Sequence, residues 1–174
     1  MDSNYGFKTI TLENWDQPDK VSVKMAPLSR SAFAEESKGN PFLEYILRPY
    51  LKEDVPYEIR RLFEVARGAM VYSYFFYPLF TIALEQLFRV GESAIKAKVA
   101  LCNTGKSSRH LVRQIEILQE AGVLDEPTAF RWQQLRTLRN IASHPENQSI
   151  YPPGQVIGVM EKLVDDVNKL FTHT

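Results

Sequence analysis

Gly68-Ala-Met-Val-Tyr-Ser-Tyr-Phe-Phe-Tyr-Pro-Leu-Phe-Thr-Ile-Ala-Leu84 runs for 17 residues without a charged side chain. Two readings compete for it: a membrane span or a buried helix of a globular core. A span needs about 20 apolar residues, and about 17 is the short limit. The stretch also carries Tyr72, Ser73, Tyr74, Tyr77 and Thr81, with Pro78 in its middle. Beyond it, charge returns at Glu85 and Arg89 while apolar residues keep their helical spacing. Length and polarity therefore favour a core helix, and no membrane association is expected. The spacing predicts this helix over about 69–102, kinked or interrupted at Pro78, whose ring and missing N–H break the hydrogen-bond ladder.

The same periodicity extends to both sides. Upstream, Asn40-Pro41 reads as an N-cap followed by proline at the first helical position. Phe42, Leu43, Ile46, Leu47, Tyr50 and Leu51 then predict a helix over about 41–52. A second begins after Asp54, with Pro56 in its first turn and Ile59, Leu62, Phe63 and Ala66 as its apolar stripe. Downstream, Ser107 or Ser108 would cap a helix carrying Leu111, Ile115 and Leu118, ended by Gly122. Asp125-Glu-Pro-Thr starts another, with acidic residues in its first turn. Ala129, Trp132, Leu135, Leu138 and Ala142 would form its buried face, and Pro145 should stop it near Ser143. The last helix bears Val156, Met160, Leu163, Val167 and Leu170 or Phe171. The resulting fold class is all-α, an antiparallel helical bundle over residues 54–174. Residues 1–53 read as an N-terminal extension that is irregular or contains a hairpin. Ile10 and Leu12 alternate in one arm, Val21, Val23 and Met25 in the other, around the turn-rich Asn14–Asp19.

The chain has 174 residues and a mass of 20.0 kDa. A chain of this size buries about two-thirds of its unfolded surface, enough for a core without disulfides or metal. Lys and Arg total 21, as do Asp and Glu, so the net charge is zero. That balance argues against a protein that coats nucleic acid indiscriminately, and any such contact should be local. Met1-Asp-Ser-Asn-Tyr-Gly lacks the basic start and apolar segment of a secretion signal, giving a cytoplasmic expectation.

Several chemical motifs can be weighed and set aside. Ala100-Leu-Cys-Asn-Thr-Gly-Lys-Ser107 fits a relaxed phosphate-loop pattern, but such a loop joins a buried strand to a helix. Here the preceding Glu92-Ser-Ala-Ile-Lys-Ala-Lys-Val favours helix, so a polar interhelical loop is expected. His110, His144 and His173 have no companion at a spacing known for zinc, so no metal site and no cofactor are expected. Cys102, the one cysteine, reads as a small core hydrophobe.

Leu138-Arg139-Asn140-Ile141-Ala142-Ser143-His144-Pro145-Glu146 is the informative segment. Arg139 follows Leu135 by four residues and precedes Ala142 by three, which places it on the face shared with Leu135 and Trp132. An arginine there needs a carboxylate, a second subunit or a phosphate, because breaking a buried pair costs about 3–5 kcal/mol. On a continuous helix His144 would diverge from Arg139 by about 140°. The break at Pro145 can swing it back, and Asn140 adds a neutral donor and acceptor beside them.

Arg139-Asn140-x-x-x-His144 resembles the Arg-x(4–6)-His motif of HEPN domains, in which a polar residue often follows the arginine. Leu138-Arg-Asn-Ile-Ala-Ser-His-Pro145 is similar to the "LRN-xx-AHP" form of bacterial HEPN-like domains. Ala83-Leu84-Glu85, in a long apolar helix, looks like that family's first core helix. The resemblance covers about residues 57–172 and leaves residues 1–50 outside.

The resemblance implies a metal-independent endoribonuclease in a toxin–antitoxin or phage-defence role. In such enzymes the RNA 2′-hydroxyl is the nucleophile, a cyclic phosphate is left, and a homodimer shares a composite site. His144 would then move the proton, Arg139 would hold the scissile phosphate, and Asn140 would orient either. Arg131 and Arg136, with Lys106, Arg109 and Arg113, would contact RNA backbone. The alternative within the same resemblance is a noncatalytic module that binds a nucleotide or a protein, such as an antitoxin or a nucleotidyltransferase.

Overall fold

The computed structural model describes residues 7–24, 41–102, 104–142 and 151–172. All regular secondary structure among them is helical: α1 (20–24), α2 (Pro41–Leu47), α3 (Tyr57–Tyr72), α4 (Leu79–Leu101), α5 (Leu111–Glu120), α6 (Glu126–Ala142) and α7 (Pro153–Phe171). The all-α bundle anticipated from periodicity is what the chain forms. None of these helices is long and apolar enough to cross a membrane.

The uncharged stretch is a core element, but not one helix. α3 ends at Tyr72, residues 73–78 turn, and α4 starts at Leu79. Pro78 thus interrupts the expected helix over 69–102 instead of kinking it. The Ser73 N–H still reaches Ala69 O at 3.0 Å, and its hydroxyl reaches Met70 O at 2.5 Å, closing α3. Tyr77 and Phe80 stack edge-on across the turn, with centroids 5.7 Å apart.

α4 is the central element, packed against α3, α5, α6 and α7. Its 23 residues span about 35 Å at the α-helical rise. Phe80, Ala83, Leu84, Leu87, Phe88, Val90, Ala94, Ile95 and Val99 are buried, and at 3.6 residues per turn they cover about half of the helix circumference. At Gly91 side chains of the neighbouring helices approach the α4 backbone closely. A Cβ there would lie 2.5 Å from Leu135 Cδ2, and 3.3 Å from both Leu163 Cδ1 and Trp132 Cζ3. Near the end of α4, Lys98 is buried with its Nζ 5.7 Å from the centre of the Phe171 ring, a cation–π contact.

α5 closes with the hydrogen bonds of a Schellman motif. Val123 N–H reaches Leu118 O at 2.9 Å and Gly122 N–H reaches Gln119 O at 3.0 Å. Gly122 has φ +70°, a value that favours glycine. The stripe expected on α7 is buried throughout, including both Leu170 and Phe171.

The N-terminal region departs from one expectation. No strand or hairpin forms among the described residues. Ile10 and Leu12 are exposed, and Val21 and Val23 lie in α1; Met25 is outside the described residues. Local side-chain bonds outcompete strand pairing here. Lys8 Nζ donates to Asn14 O and Gln17 O, both at 2.6 Å, while Asn14 bonds the backbone of Thr9 and Thr11. Asp19 caps α1, accepting the Val21 N–H at 2.9 Å.

Asp19 also joins this region to the bundle. Its side chain is fully buried, and Oδ2 accepts the N–H of Lys8 at 3.2 Å and of Tyr77 at 3.4 Å. Its own N–H donates to Tyr74 O at 3.0 Å, and the Ser22 hydroxyl donates to Ser73 O at 2.7 Å. Burial, followed by the nearby Asp19 carboxylate, pushes the Tyr77 hydroxyl pKa upward.

α2 is shorter than the predicted 41–52 because Pro49 disfavours helical geometry at Arg48. The chain beyond it lies against α7. Lys52 N–H reaches Asn168 Oδ1 at 2.9 Å, Asn168 Nδ2 reaches Tyr50 O at 3.0 Å, and Arg48 pairs with Glu161 at 2.7 Å.

Three stability measurements check this packing. Gly91→Val should lower the urea midpoint by the equivalent of about 1–3 kcal/mol through overpacking. Gly68→Ala, where a Cβ meets nothing within 4 Å, should raise it by up to about 1 kcal/mol. Asp19→Ala should cost about 1–3 kcal/mol, because buried backbone donors lose their acceptor. A protein in which Asp19→Ala leaves the unfolding midpoint unchanged would exclude the anchoring role of that carboxylate.

Candidate functional site

Arg139 and Asn140, the first two residues of the sequence motif, lie on α6. Asp125 starts this helix by accepting the Thr128 N–H at 2.9 Å. Hydrogen bonding from Thr128, first through its side chain and then its backbone, holds the Asp125 carboxyl below its ordinary pKa. The N-terminal half of α6 carries Ala129 and Trp132 into the core. Leu135 is partly buried against Gly91, but Leu138 and Ile141 are each 46% exposed. The apolar face expected to continue to Ala142 therefore weakens after Leu135, and only Ala142 remains half-buried.

Arg139 is placed accordingly. It is not a buried-face arginine: its side chain is 45% exposed, and the long stem carries the guanidinium to the helix edge. Its Nε meets Glu92 Oε1 of α4 at 3.0 Å, so a carboxylate is a partner. Its Nη1 donates to Asn140 Oδ1 at 3.2 Å. His144 and Pro145 lie outside the described residues.

Arg139 and Asn140 line a cleft of about 520 Å³ between α4, the start of α5 and α6. Arg136 lines it one turn earlier on α6, with Nε bonded to Gln133 Oε1 at 3.1 Å. Glu92 and Lys96 contribute from α4, where the i,i+4 spacing puts them on one face. Arg109 and His110 contribute from the segment entering α5. Four cations thus face the cleft (Lys96, Arg109, Arg136 and Arg139) against the one lining carboxylate, Glu92.

The α5 end of the cleft is not built as expected. Neither Ser107 nor Ser108 is the N-cap; His110 is, in an extended backbone conformation and without a side-chain cap bond. Ser108 braces the approach instead. Its hydroxyl accepts the His110 N–H at 3.1 Å, and its carbonyl accepts from Gln114 Nε2 at 2.8 Å. The residues resembling a phosphate loop enter from the end of α4, a helix and not a strand. Cys102 is partly buried against the core. Among the described residues, no group of three or more His, Cys, Asp or Glu side chains is arranged to hold a metal.

The other basic candidates lie outside the lining. Arg131 reaches both oxygens of Asp166 on α7, with Nη2 2.8 Å from Oδ1, and also bonds the Thr128 hydroxyl at 3.0 Å. Lys106 and Arg113 pair with Glu120 at 2.7 and 2.8 Å. Those two bonds hold the Glu120 carboxyl below its ordinary pKa, the Lys106 bond first. Of the residues named from sequence, the structure brings Arg109, Arg136, Arg139 and Asn140 into one cleft. Sequence reasoning missed Glu92, Lys96 and His110 as their neighbours. Glu92 and Lys96 look like any solvated helix face until α6 is laid across them.

The Arg131–Asp166 pair is partly exposed, at 45% and 14%, so its contribution should be about 0.2–1 kcal/mol. A double-mutant cycle on Arg131→Ala and Asp166→Asn, read by urea unfolding, should return a coupling in that range. A coupling of zero would leave Arg131 without a structural task. No protein-family model matches the chain, and neither a curated protein nor a solved structure does.

Proposed function

We propose that this chain is a metal-independent endoribonuclease of the HEPN type, working as a homodimer in a toxin–antitoxin or phage-defence setting. One observation carries the reading. Arg139 and Asn140, the first two residues of the motif, line a cleft with Arg136, Lys96 and Arg109. Such a lining suits a phosphodiester, whose charge increases as the transition state forms.

The chemistry follows from the residue types. The RNA 2′-hydroxyl attacks the adjacent phosphorus, its proton passing to His144. The phosphorus–O5′ bond breaks, and the departing oxygen takes the proton back from the protonated histidine. The products are a 2′,3′-cyclic phosphate and a 5′-hydroxyl. Histidine suits the transfer because its ordinary pKa of about 6.5 lies close to neutral pH. Arg139 would stabilise the phosphorane charge, and Asn140, already bonded to it, would fix its orientation.

A noncatalytic module that binds a nucleotide or a partner protein, such as an antitoxin or a nucleotidyltransferase, is the second reading. The Arg139–Glu92 ion pair favours it, since that carboxylate competes with any phosphate for the guanidinium.

Cellular RNA incubated in EDTA with the wild type, His144→Ala and Arg139→Ala proteins separates the two. The ribonuclease reading expects cyclic phosphate ends from the wild type and rates about 10²–10⁴-fold lower for His144→Ala. Absence of cleavage by a folded wild-type dimer, or equal cleavage by His144→Ala, would replace it with the binding-module reading.

A further inference from the structure

We infer that the cleft reads the phosphate backbone of RNA rather than its bases, with Lys96, Arg109 and Arg136 holding phosphates that flank the one at Arg139. This rests on the RNA reading of the site but not on cleavage. Three features of the cleft support it.

The first is charge. The four cations come from three separate segments, α4, the entry to α5, and α6. Bringing like charges together is unfavourable unless an anion joins them. Arg131, Lys106 and Arg113, their neighbours on the same part of the chain, are each paired with a carboxylate. Lys96 and Arg109 form no ion pair among the described residues. In a chain of zero net charge this is a local concentration of positive potential.

The second feature is what the lining lacks. It contains no Phe, Tyr or Trp, and the His110 imidazole is its one ring. Single-stranded nucleic acid is held through its bases by stacking on aromatic side chains, so this cleft has little with which to grip a base. Guanidinium and ammonium groups instead address phosphate, which is the same at every nucleotide.

The third is access. Lys96, Arg109, His110 and Arg139 are all exposed, so the cleft reaches solvent along the side that they line. A pocket for a small ligand encloses most of that ligand's surface. An open trough allows a polymer to lie across it and continue on either side.

The test uses fluorescence anisotropy with labelled 2′-O-methyl RNA 12-mers of two unrelated sequences, in EDTA, across a range of KCl concentrations. The methyl group blocks 2′-hydroxyl attack, so binding is read without cleavage. Four phosphate contacts predict a slope of log K against log[salt] of about −2.8, from about −0.7 per contact on single strands. Lys96→Ala and Arg109→Ala should each make the slope shallower by about 0.7. At 50 mM salt each should weaken binding about eightfold, by the same relation extrapolated from 1 M. Both side chains are exposed, so their variants should melt with the wild type. Arg131→Ala should bind as the wild type does, and the two sequences should bind within about threefold of each other.

Failure to bind, wild-type slopes in both cleft variants, or an equal loss in Arg131→Ala would overturn the inference. So would a preference above tenfold for one sequence, or ATP competing as tightly as the 12-mer. A protein that binds with the expected slope but cleaves nothing keeps this inference and loses the ribonuclease. One that cleaves RNA equally well after Lys96→Ala and Arg109→Ala does the reverse.

Discussion

The close passage of α4 beneath α6 and α7 at Gly91 is the constraint on which the rest of the arrangement depends. A Cβ at Gly91 would lie 2.5 Å from Leu135 Cδ2, so any larger residue would push aside the side chains of Leu135, Leu163 and Trp132 that converge there. The next residue, Glu92, is thereby brought within ion-pair distance of Arg139, and Lys96 follows one turn later on the same face. The cleft is thus a consequence of core packing. Its polar wall begins where the buried face of α4 ends, one residue away from the close approach at Gly91.

Electrostatic organisation follows the same division. On the outer faces several cations are matched: Arg131 with Asp166, Arg48 with Glu161, Lys106 and Arg113 with Glu120. These exposed pairs add little stability each, but they cancel field over much of the surface. In the cleft the matching stops at Glu92. Zero net charge is therefore compatible with a cleft lined by more cations than carboxylates, because potential depends on where charges sit and not on their sum.

The turn between α3 and α4 shows a second kind of dependence. Breaking an apolar helix at 73–78 exposes backbone groups inside the protein, and these must be satisfied. Tyr74 O, Ser73 O and Tyr77 N–H find their partners on Asp19 and Ser22, from a segment more than fifty residues away in sequence. The N-terminal extension therefore completes the core by supplying hydrogen bonds as well as apolar surface. The edge-on contact of Phe7 with Phe76, with centroids 5.9 Å apart, covers the same turn.

Periodicity alone determined the helical class, the stripes of α3 and α7, and the glycine stop at Gly122, because each depends on residues within one or two turns. The break at Pro78 was legible from the proline itself, whereas the early end of α2 before Pro49 was missed because the apolar spacing carries on to Leu51. The hairpin reading failed because alternation over two or three residues is a weak signal beside side-chain capping by Asp19 and Asn14. The site was half legible. Arg139, Asn140 and Arg136 stand out in sequence, as one short segment of α6. Their partners do not, since Glu92 and Lys96 lie some forty residues earlier and carry no pattern beyond an exposed helix face. Only the tertiary packing decided which cations share a cleft and which, like Arg131, are tied to a neighbouring helix. Charge pairing is a property of distance in space, and sequence spacing encodes that distance only within a single helix.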